Sequence, residues 1–309
     1  MTMPGEMAIE VNNLRKNYGQ VKAVDGLSFS VKKGEIFGML GPNGAGKSTT
    51  MEILVGLKNR DEGEVKVLGM DPQKQPTDVK TRIGVQLQTV FLFPRLTVSE
   101  IVKLFAGFYP SPLSPDDVIK QVGLEEKKKS RIMNLSGGQL QRVAVAVAMV
   151  SNGDIIFLDE PTSGLDPQSR RKLWEAITAL KAAGKTVFLT THYMDEAQKL
   201  CDRVAVVDHG HIIALGQPEE LIKEHFQESA LEFEHPELSK DKRLNELPGV
   251  NKVQSTEEYV TIYTKDIAQT IPALMEFCQK AGTKVDDVKV RQATLEDVFL
   301  KLTGRWIRE

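Results

Sequence analysis

The sequence predicts an α/β domain built on a mainly parallel sheet, with an antiparallel side sheet and a helical insert, followed by a small carboxyl-terminal α+β domain. Three observations carry this. Near-continuous apolar runs, "EIFGML", "DIIFLDE", "KTVFLTTH" and "DRVAVVDHG", alternate with helical segments from Ile9 to about Lys223. Strands buried on both faces read this way, and helical crossovers make such a sheet parallel. "MAIEVNNLRKNY", "GLSFSVKKGE" and "GEVKVLG" instead show polar alternation broken by glycine turns, the pattern of a smaller antiparallel sheet. Between Gln88 and Asn134 the strand signals vanish, and "TVSEIVKLFAGFY" and "SPDDVIKQVG" read as amphipathic helices separated by "PSPLSP".

Counting the apolar helix that follows, the insert spans about residues 89–150 of a first domain, 1–224. Residues 225–309 form the second domain, in which "ALEFEH", "NKVQST", "YVTIYT" and "KVDDVKV" are strands. Helices are expected at about Asp266 to Gly282 and Thr294 to Leu302, with Thr294 and Asp297 as a helix-start pair. Every chemical motif lies before Lys223, so the second domain is assigned to assembly or regulation.

Forty Lys and Arg against 42 Asp and Glu leave a net charge of −2, so no global field recruits nucleic acid or an anionic membrane. No nucleic-acid partner is expected. Two cysteines, Cys201 and Cys278, without metal-ligand spacing fit a reducing compartment. The first ten residues lack a secretion signal. The longest apolar stretch, Val143 to Val150, falls short of the roughly twenty residues that span a bilayer.

"GPNGAGKST", Gly41 to Thr49, contains the pattern GxxxxGK[ST] between a strand and a helix, as phosphate binding requires. Gly41, Gly44 and Gly46 let backbone N–H groups turn onto phosphates, and Pro42, Asn43, Ala45 and Thr49 complete the loop. Lys47 reaches the β and γ oxygens, and Ser48 offers an oxygen to Mg²⁺. An apolar strand ending in Asp159 places a carboxylate beside that metal, and the next residue, Glu160, faces an attacking water. A second anion cradle follows from "LSGGQLQRVAVAVAMV", where Ser136, Gly137, Gly138 and Gln139 open a long apolar helix.

Together "GPNGAGKST", "LSGGQ", "FLDEPTSGLD" and "TTH" resemble the ATP-binding subunit of an ABC transporter, over about Ile9 to Lys223. The resemblance implies a P-loop ATPase fold and the cofactors ATP and Mg²⁺. It implies that Tyr18 stacks on adenine, that Gln88 is the glutamine of the loop that reaches metal and water, and that His192 contacts the γ-phosphate. The resemblance also places Asp166 in the loop that joins two subunits. Such domains work as head-to-tail pairs, so Ser136 to Gln139 of one chain cover the nucleotide held by the other. The partner is a second ATP-binding subunit, the same chain or a closely related one. Val147 departs from many relatives, which carry arginine there. His209 and His211 are read as turn residues rather than metal ligands.

With one P-loop and no membrane span, the resemblance implies a motor subunit peripheral to the cytoplasmic side of the membrane, docked on a separate transmembrane permease. "TVFLFPRLTVSEIVKLFAGFY" lies where the family receives the permease. Phe91 to Arg95 are expected to be exposed, and most of Phe91, Phe93, Phe105 and Phe108 to be insert core. The ending "ATLEDVFLKLTGR" is similar to that of drug-resistance exporters of the daunorubicin type. The rival reading is a soluble ABC ATPase of translation or DNA repair. Those relatives carry two cassettes or a long coiled coil, and this chain has neither. A regulatory module with a dead ATP site is opposed by Lys47, Glu160 and His192.

Overall fold

The computed structural model describes residues 6–89, 91–226, 229–234, 238, 241–255, 259–282, 287–291 and 293–304. Contacts divide the chain into two compact units that meet between Pro218 and Glu219. The first begins with β1 (Met7–Tyr18), β2 (Val21–Lys32), β3 (Ile36–Leu40), α1 (Lys47–Leu54), β4 (Glu62–Val67), α2 (Pro76–Lys80) and β5 (Ile83–Gln86). The insert helices α3 (Val98–Ala106), α4 (Pro115–Gln121) and α5 (Gly137–Val150) follow. The unit then closes with β6 (Ile155–Asp159), α6 (Pro167–Ala182), β7 (Thr186–Thr191), α7 (Met194–Leu200), β8 (Arg203–Asp208) and β9 (His211–Gly216).

The central sheet has the order β5-β6-β7-β3-β8-β9, parallel except for β9 at its edge. Every residue of β3, β6 and β7 is buried, which is why these strands read as unbroken apolar runs. Because β3 lies between β7 and β8, the loop leaving it emerges at the carboxyl ends of the strands, where open α/β sheets bind ligands. The edge strand β9 was not singled out in the sequence. It returns through a two-residue turn in which His209 and Gly210 take φ of 46° and 76°, the primed geometry that matches strand twist.

The side sheet has the antiparallel order β2-β1-β4. Its apolar face, with Ile9, Val11, Leu27 and Phe29, packs on Phe37, Phe157 and Phe188 of the central sheet in one core. Phe29, Phe37 and Phe188 form a triangle of mutually stacked rings, with centroids 5.5, 5.8 and 6.2 Å apart. That stacking joins the two sheets.

In the insert, α3 starts at a capping box of Thr97 and Glu100, and α5 is buried from Arg142 to Val150, including Val147. The buried Arg142 guanidinium donates to the carbonyls of Val122 and Gly123, satisfying the end of α4. The expectation that most of the insert phenylalanines form core is not met. Phe91, Phe93 and Phe108 are 91%, 59% and 69% exposed, and Phe105 is half-buried. The reason is the brevity of α3: it spans only Val98–Ala106 and buries Val98, Ile101, Val102 and Ala106, so Phe91, Phe93 and Phe108 lie beyond its ends, and only Phe105 shares its apolar stripe.

The second unit takes in most of α8 (Pro218–His225), then β10 (Ser229–Glu234), β11 (Val250–Ser255), β12 (Tyr259–Thr264), α9 (Ile267–Lys280), β13 (Lys289–Arg291) and α10 (Leu295–Thr303). Its antiparallel sheet has the order β11-β12-β10-β13. Leu231, Phe233, Val260 and Ile262 point to one face and pack with Leu274 and Cys278 of α9. Thr294 and Asp297 form the expected capping box of α10. The beginning of "KVDDVKV" lies outside the described residues, as does Val90. Among the described residues no helix is long and apolar enough to cross a membrane.

Candidate functional site

After Leu40 the chain turns through Gly41 to Gly46 into α1. Gly46 caps that helix at φ 103°, and a Cβ there would lie 2.3 Å from the Ala23 carbonyl oxygen. At Gly41 a Cβ would lie 2.2 Å from the Val207 oxygen. Neither site admits a side chain. The loop is a backbone cradle, and Asn43, Gly44, Gly46, Lys47, Ser48 and Thr49 line a cavity of about 380 Å³ at the start of α1. Tyr18, Gln88 and Glu160 complete its wall, so residues from four separate segments converge there.

Lys47 is 4% exposed, and its ammonium donates to the carbonyls of Gly41 and Pro42 at 2.8 and 3.1 Å. It stands 3.3 Å from Glu160. Burial holds its pKa below the usual lysine value, and the Glu160 carboxylate opposes that shift. On the other side His192 Nδ1 lies 3.1 Å from Glu160 Oε2. The hydrogen bond from His192, against burial and with help from Lys47, lowers the Glu160 pKa, so this carboxylate is anionic at neutral pH. Glu160 also has φ 48°, a strained conformation for a side-chain-bearing residue that costs on the order of 1–3 kcal/mol. Its N–H donates to the Thr190 carbonyl and hydroxyl, each at 3.1 Å, which pins the strained residue beside β7.

Asp159 ends β6 and accepts from the Ser48 hydroxyl at 3.2 Å and from Thr190. Burial raises its pKa, and those two hydroxyls counter the rise. Among the described residues no cluster of three or more His, Cys, Asp or Glu forms a metal cage. The oxygens of Ser48 and Asp159 fit Mg²⁺, which takes one or two protein oxygens and completes its shell with phosphate and water. Tyr18 is half-exposed, with its ring centroid 5.3 Å from Lys58 Nζ and 5.7 Å from Lys16 Nζ. A ring so placed presents a π-face at the cavity mouth, flanked by cations.

The remaining residues named from the sequence are not in this cavity. Ser136 caps α5 in a reciprocal box with Gln139: the Ser136 hydroxyl accepts from the Gln139 N–H, and Gln139 Oε1 accepts from the Ser136 N–H. Ser136 and Gly137 are exposed. Gly137 and Gly138 thus stand at the positive end of a fourteen-residue helix. The Asp166 carboxylate caps α6, accepting from the N–H groups of Gln168 and Ser169. That use ties Asp166 to the fold of its loop and away from the cavity wall.

The arrangement sets a glycine-rich backbone cradle around the buried Lys47 ammonium, beside two acids, Asp159 bonded to Ser48 and an anionic Glu160 bonded to His192. These are the parts of nucleotide hydrolysis. Similarity to known proteins agrees. Over 97% of its length the chain is 37% identical to the Nod factor export ATP-binding protein I of Ralstonia nicotianae, covering 95% of that protein. The chain belongs to the ATP-binding subunits of ABC transporters. Residues 24–163 match the ABC transporter family, and residues 216–303 match the carboxyl-terminal domain of DrrA1-3-like ATP-binding proteins. A solved ATP-binding subunit of an ABC transporter is 26% identical, superposes with a TM-score of 0.65 and covers 71% of this chain and 93% of its own. A bacterial ABC transporter cassette solved as a dimer is 30% identical with a TM-score of 0.62, over 68% of this chain and 98% of its own. The chain is thus an ATPase, and the non-transport reading finds no support.

One residue of this ATPase was missed in the sequence. Gln86, at the end of β5, is 2% exposed, and its Nε2 donates to the Asp159 carbonyl at 3.1 Å and to the Leu87 carbonyl at 2.7 Å. Its Oε1 is buried with no hydrogen-bond partner among the described residues, a cost of about 1–3 kcal/mol. The only sequence signal is a polar residue ending an apolar strand. The amide ties the strand that leads to Gln88 to the backbone of Asp159. Gln86→Leu removes both the tie and the unpaired oxygen, so the melting temperature should stay near wild type. Displacement of Asp159 and Glu160 should lower kcat by about tenfold, since small misplacements of reacting groups are costly, while KM for ATP stays constant. An unchanged kcat in steady-state assays would leave Gln86 as packing alone.

Proposed function

We propose that this ATPase drives an exporter by pairing head to tail with a second ATP-binding subunit, the same chain or a close relative. In that pairing Ser136, Gly137, Gly138 and Gln139 of one chain cover the nucleotide bound by Gly41 to Thr49 of the other. ATP then bridges the pair, and its hydrolysis removes the bridging phosphate and opens it. The observation that carries this reading is the separation of two phosphate-seeking elements: the loop lines the cavity, whereas the start of α5 is exposed and outside it. The dimeric cassette with which the chain superposes supports it. Ser48 and Asp159 hold Mg²⁺ with Gln88 alongside, Tyr18 stacks on the base, Asp166 shapes the loop between subunits, and His192 orients Glu160 toward the γ-phosphate.

Export is supported by the names of the full-length relatives and by the carboxyl-terminal match. The daunorubicin-type ending belongs to the same reading, in which residues 225–309 serve assembly or regulation. The subunit sits on the cytoplasmic face of the membrane, peripheral to a transmembrane permease. Phe91 and Phe93, with Leu104, Phe108 and Met133, are large apolar side chains exposed on or beside the insert, and such clusters mark interfaces. Phe91→Asp should reduce co-purification with its permease, measured by tagged pull-down, by about tenfold or more. ATP binding by the isolated subunit should not change. Equal recovery of the complex would remove Phe91 from the docking surface.

A further inference from the structure

The second unit contains two adjoining cavities that share Phe226, Tyr263 and Lys301, of about 280 and 500 Å³. They lie on the sheet face opposite α9. Cross-strand pairing fixes this: Lys252 pairs with Tyr263, Tyr263 with Ala230, and Ala230 with Arg291. These four residues form one row across β11, β12, β10 and β13. Their neighbours along β12, Val260 and Ile262, point into the core on the other side.

The two ends of the space differ in chemistry. The smaller cavity has apolar walls from Ala230, Ala293, Leu300 and the Phe226 ring. Two of its three charged members neutralise one another, since Arg291 bonds Asp297 at 2.7 Å, and the third, Lys301, is shared with the larger cavity. The larger cavity carries Lys252, Lys265 and Lys301 against a single acid, Glu224. Among the described residues Lys252 and Lys265 have no carboxylate within ion-pair distance, and both are exposed. Lys252 lies over the Tyr263 ring at 6.0 Å, and Lys301 over Phe226 at 4.9 Å. Aromatic faces therefore hold two ammonium groups at the junction of the apolar and the cationic end.

We infer that this face of the second unit binds a small amphiphilic anion, with its apolar body against Phe226, Ala230 and Leu300 and its anionic head among Lys252, Lys265 and Lys301. The volumes fall in the range of small-molecule sites, which combine an apolar lining with a few convergent polar groups. Charge complementarity sets the sign of the head, and the aromatic and aliphatic walls exclude a bare inorganic ion as the preferred occupant.

The test uses the full chain with its P-loop saturated by a non-hydrolysable ATP analogue, titrated calorimetrically with dodecanoate below its micelle concentration. One dodecanoate per chain is expected. The Lys252→Ala/Lys265→Ala double variant alters only exposed side chains, so it should keep its melting temperature and bind at least about tenfold more weakly. Ala293→Phe, which fills the apolar end, should weaken binding as well, and acetate should not bind. Absence of saturable dodecanoate binding, or equal affinity in the lysine double variant, would overturn the assignment. Acetate binding as tight as that of dodecanoate would reduce the site to an anion patch and also overturn it. Co-sedimentation with phosphatidylglycerol vesicles, lost in the double variant while dodecanoate fails to bind, would reassign the lysines to a membrane surface.

Discussion

Glu160→Gln should retain ATP and lose hydrolysis, with steady-state phosphate release falling by at least about a hundredfold, the size of effect expected for a lost general base. The substitution keeps the shape of the side chain and removes its charge. Two neighbours depend on that charge: the Lys47 ammonium at 3.3 Å and His192 at 3.1 Å. Lys47 is buried and depressed by its burial, so loss of its anion destabilises the free protein. ATP phosphates restore a counter-charge. The variant should therefore melt below wild type without nucleotide and show the larger rise in melting temperature when Mg-ATP is added. Phosphate release within threefold of wild type would remove Glu160 from the reaction.

The second large effect is complementation. Lys47→Ala removes the buried cation of the loop, and Ser136→Arg places a bulky side chain at the start of α5, so each homodimer has both composite sites damaged. Each alone should be nearly inactive. In a heterodimer of the two, head-to-tail pairing collects both lesions in one site and leaves intact Lys47 facing intact Ser136 in the other. Purified heterodimers carrying two different tags should then regain ATP occlusion at one site and a measurable fraction of wild-type turnover. Verified heterodimers with no occluded nucleotide and no turnover above either parent would refute the shared site.

Most of this site was legible because its chemistry is written in contiguous runs. Gly41 to Thr49 specify a loop in which Gly41 and Gly46 leave no room for a side chain, and "FLDE" places Asp159 and Glu160 at the end of a buried strand. Where meaning depends on a neighbour in space, the sequence falls silent. Gln86 is two residues from Gln88 and reads as another surface amide, yet parallel pairing of β5 with β6 brings it to the Asp159 carbonyl. Phe108 reads as core because aromatic residues favour burial, and only the end of α3 at Ala106 shows that the residue lies beyond the helix and is exposed. The strand β9 was hidden by modest alternation, its residues being half-buried or exposed. In the second unit the cationic row needs strand register, which hydropathy does not encode.

The tip of the β8–β9 hairpin has a consequence for how freely this sequence can drift. Hairpin tips are ordinarily where a chain tolerates insertion and replacement. Here the Gly210 N–H donates to the Ala45 carbonyl at 3.1 Å, and the Gly210 carbonyl accepts from the Asp25 N–H at 2.9 Å. A Cβ at residue 210 would come within 3.1 Å of the Ala23 oxygen and 3.2 Å of the Asp25 nitrogen. The tip thus acts as a wedge between the phosphate loop and the side sheet that bears Tyr18, holding constant the span between the residues assigned to phosphate and base. A side chain at residue 210 would therefore press on the backbone of the side sheet, next to the phosphate loop that the same residue is bonded to.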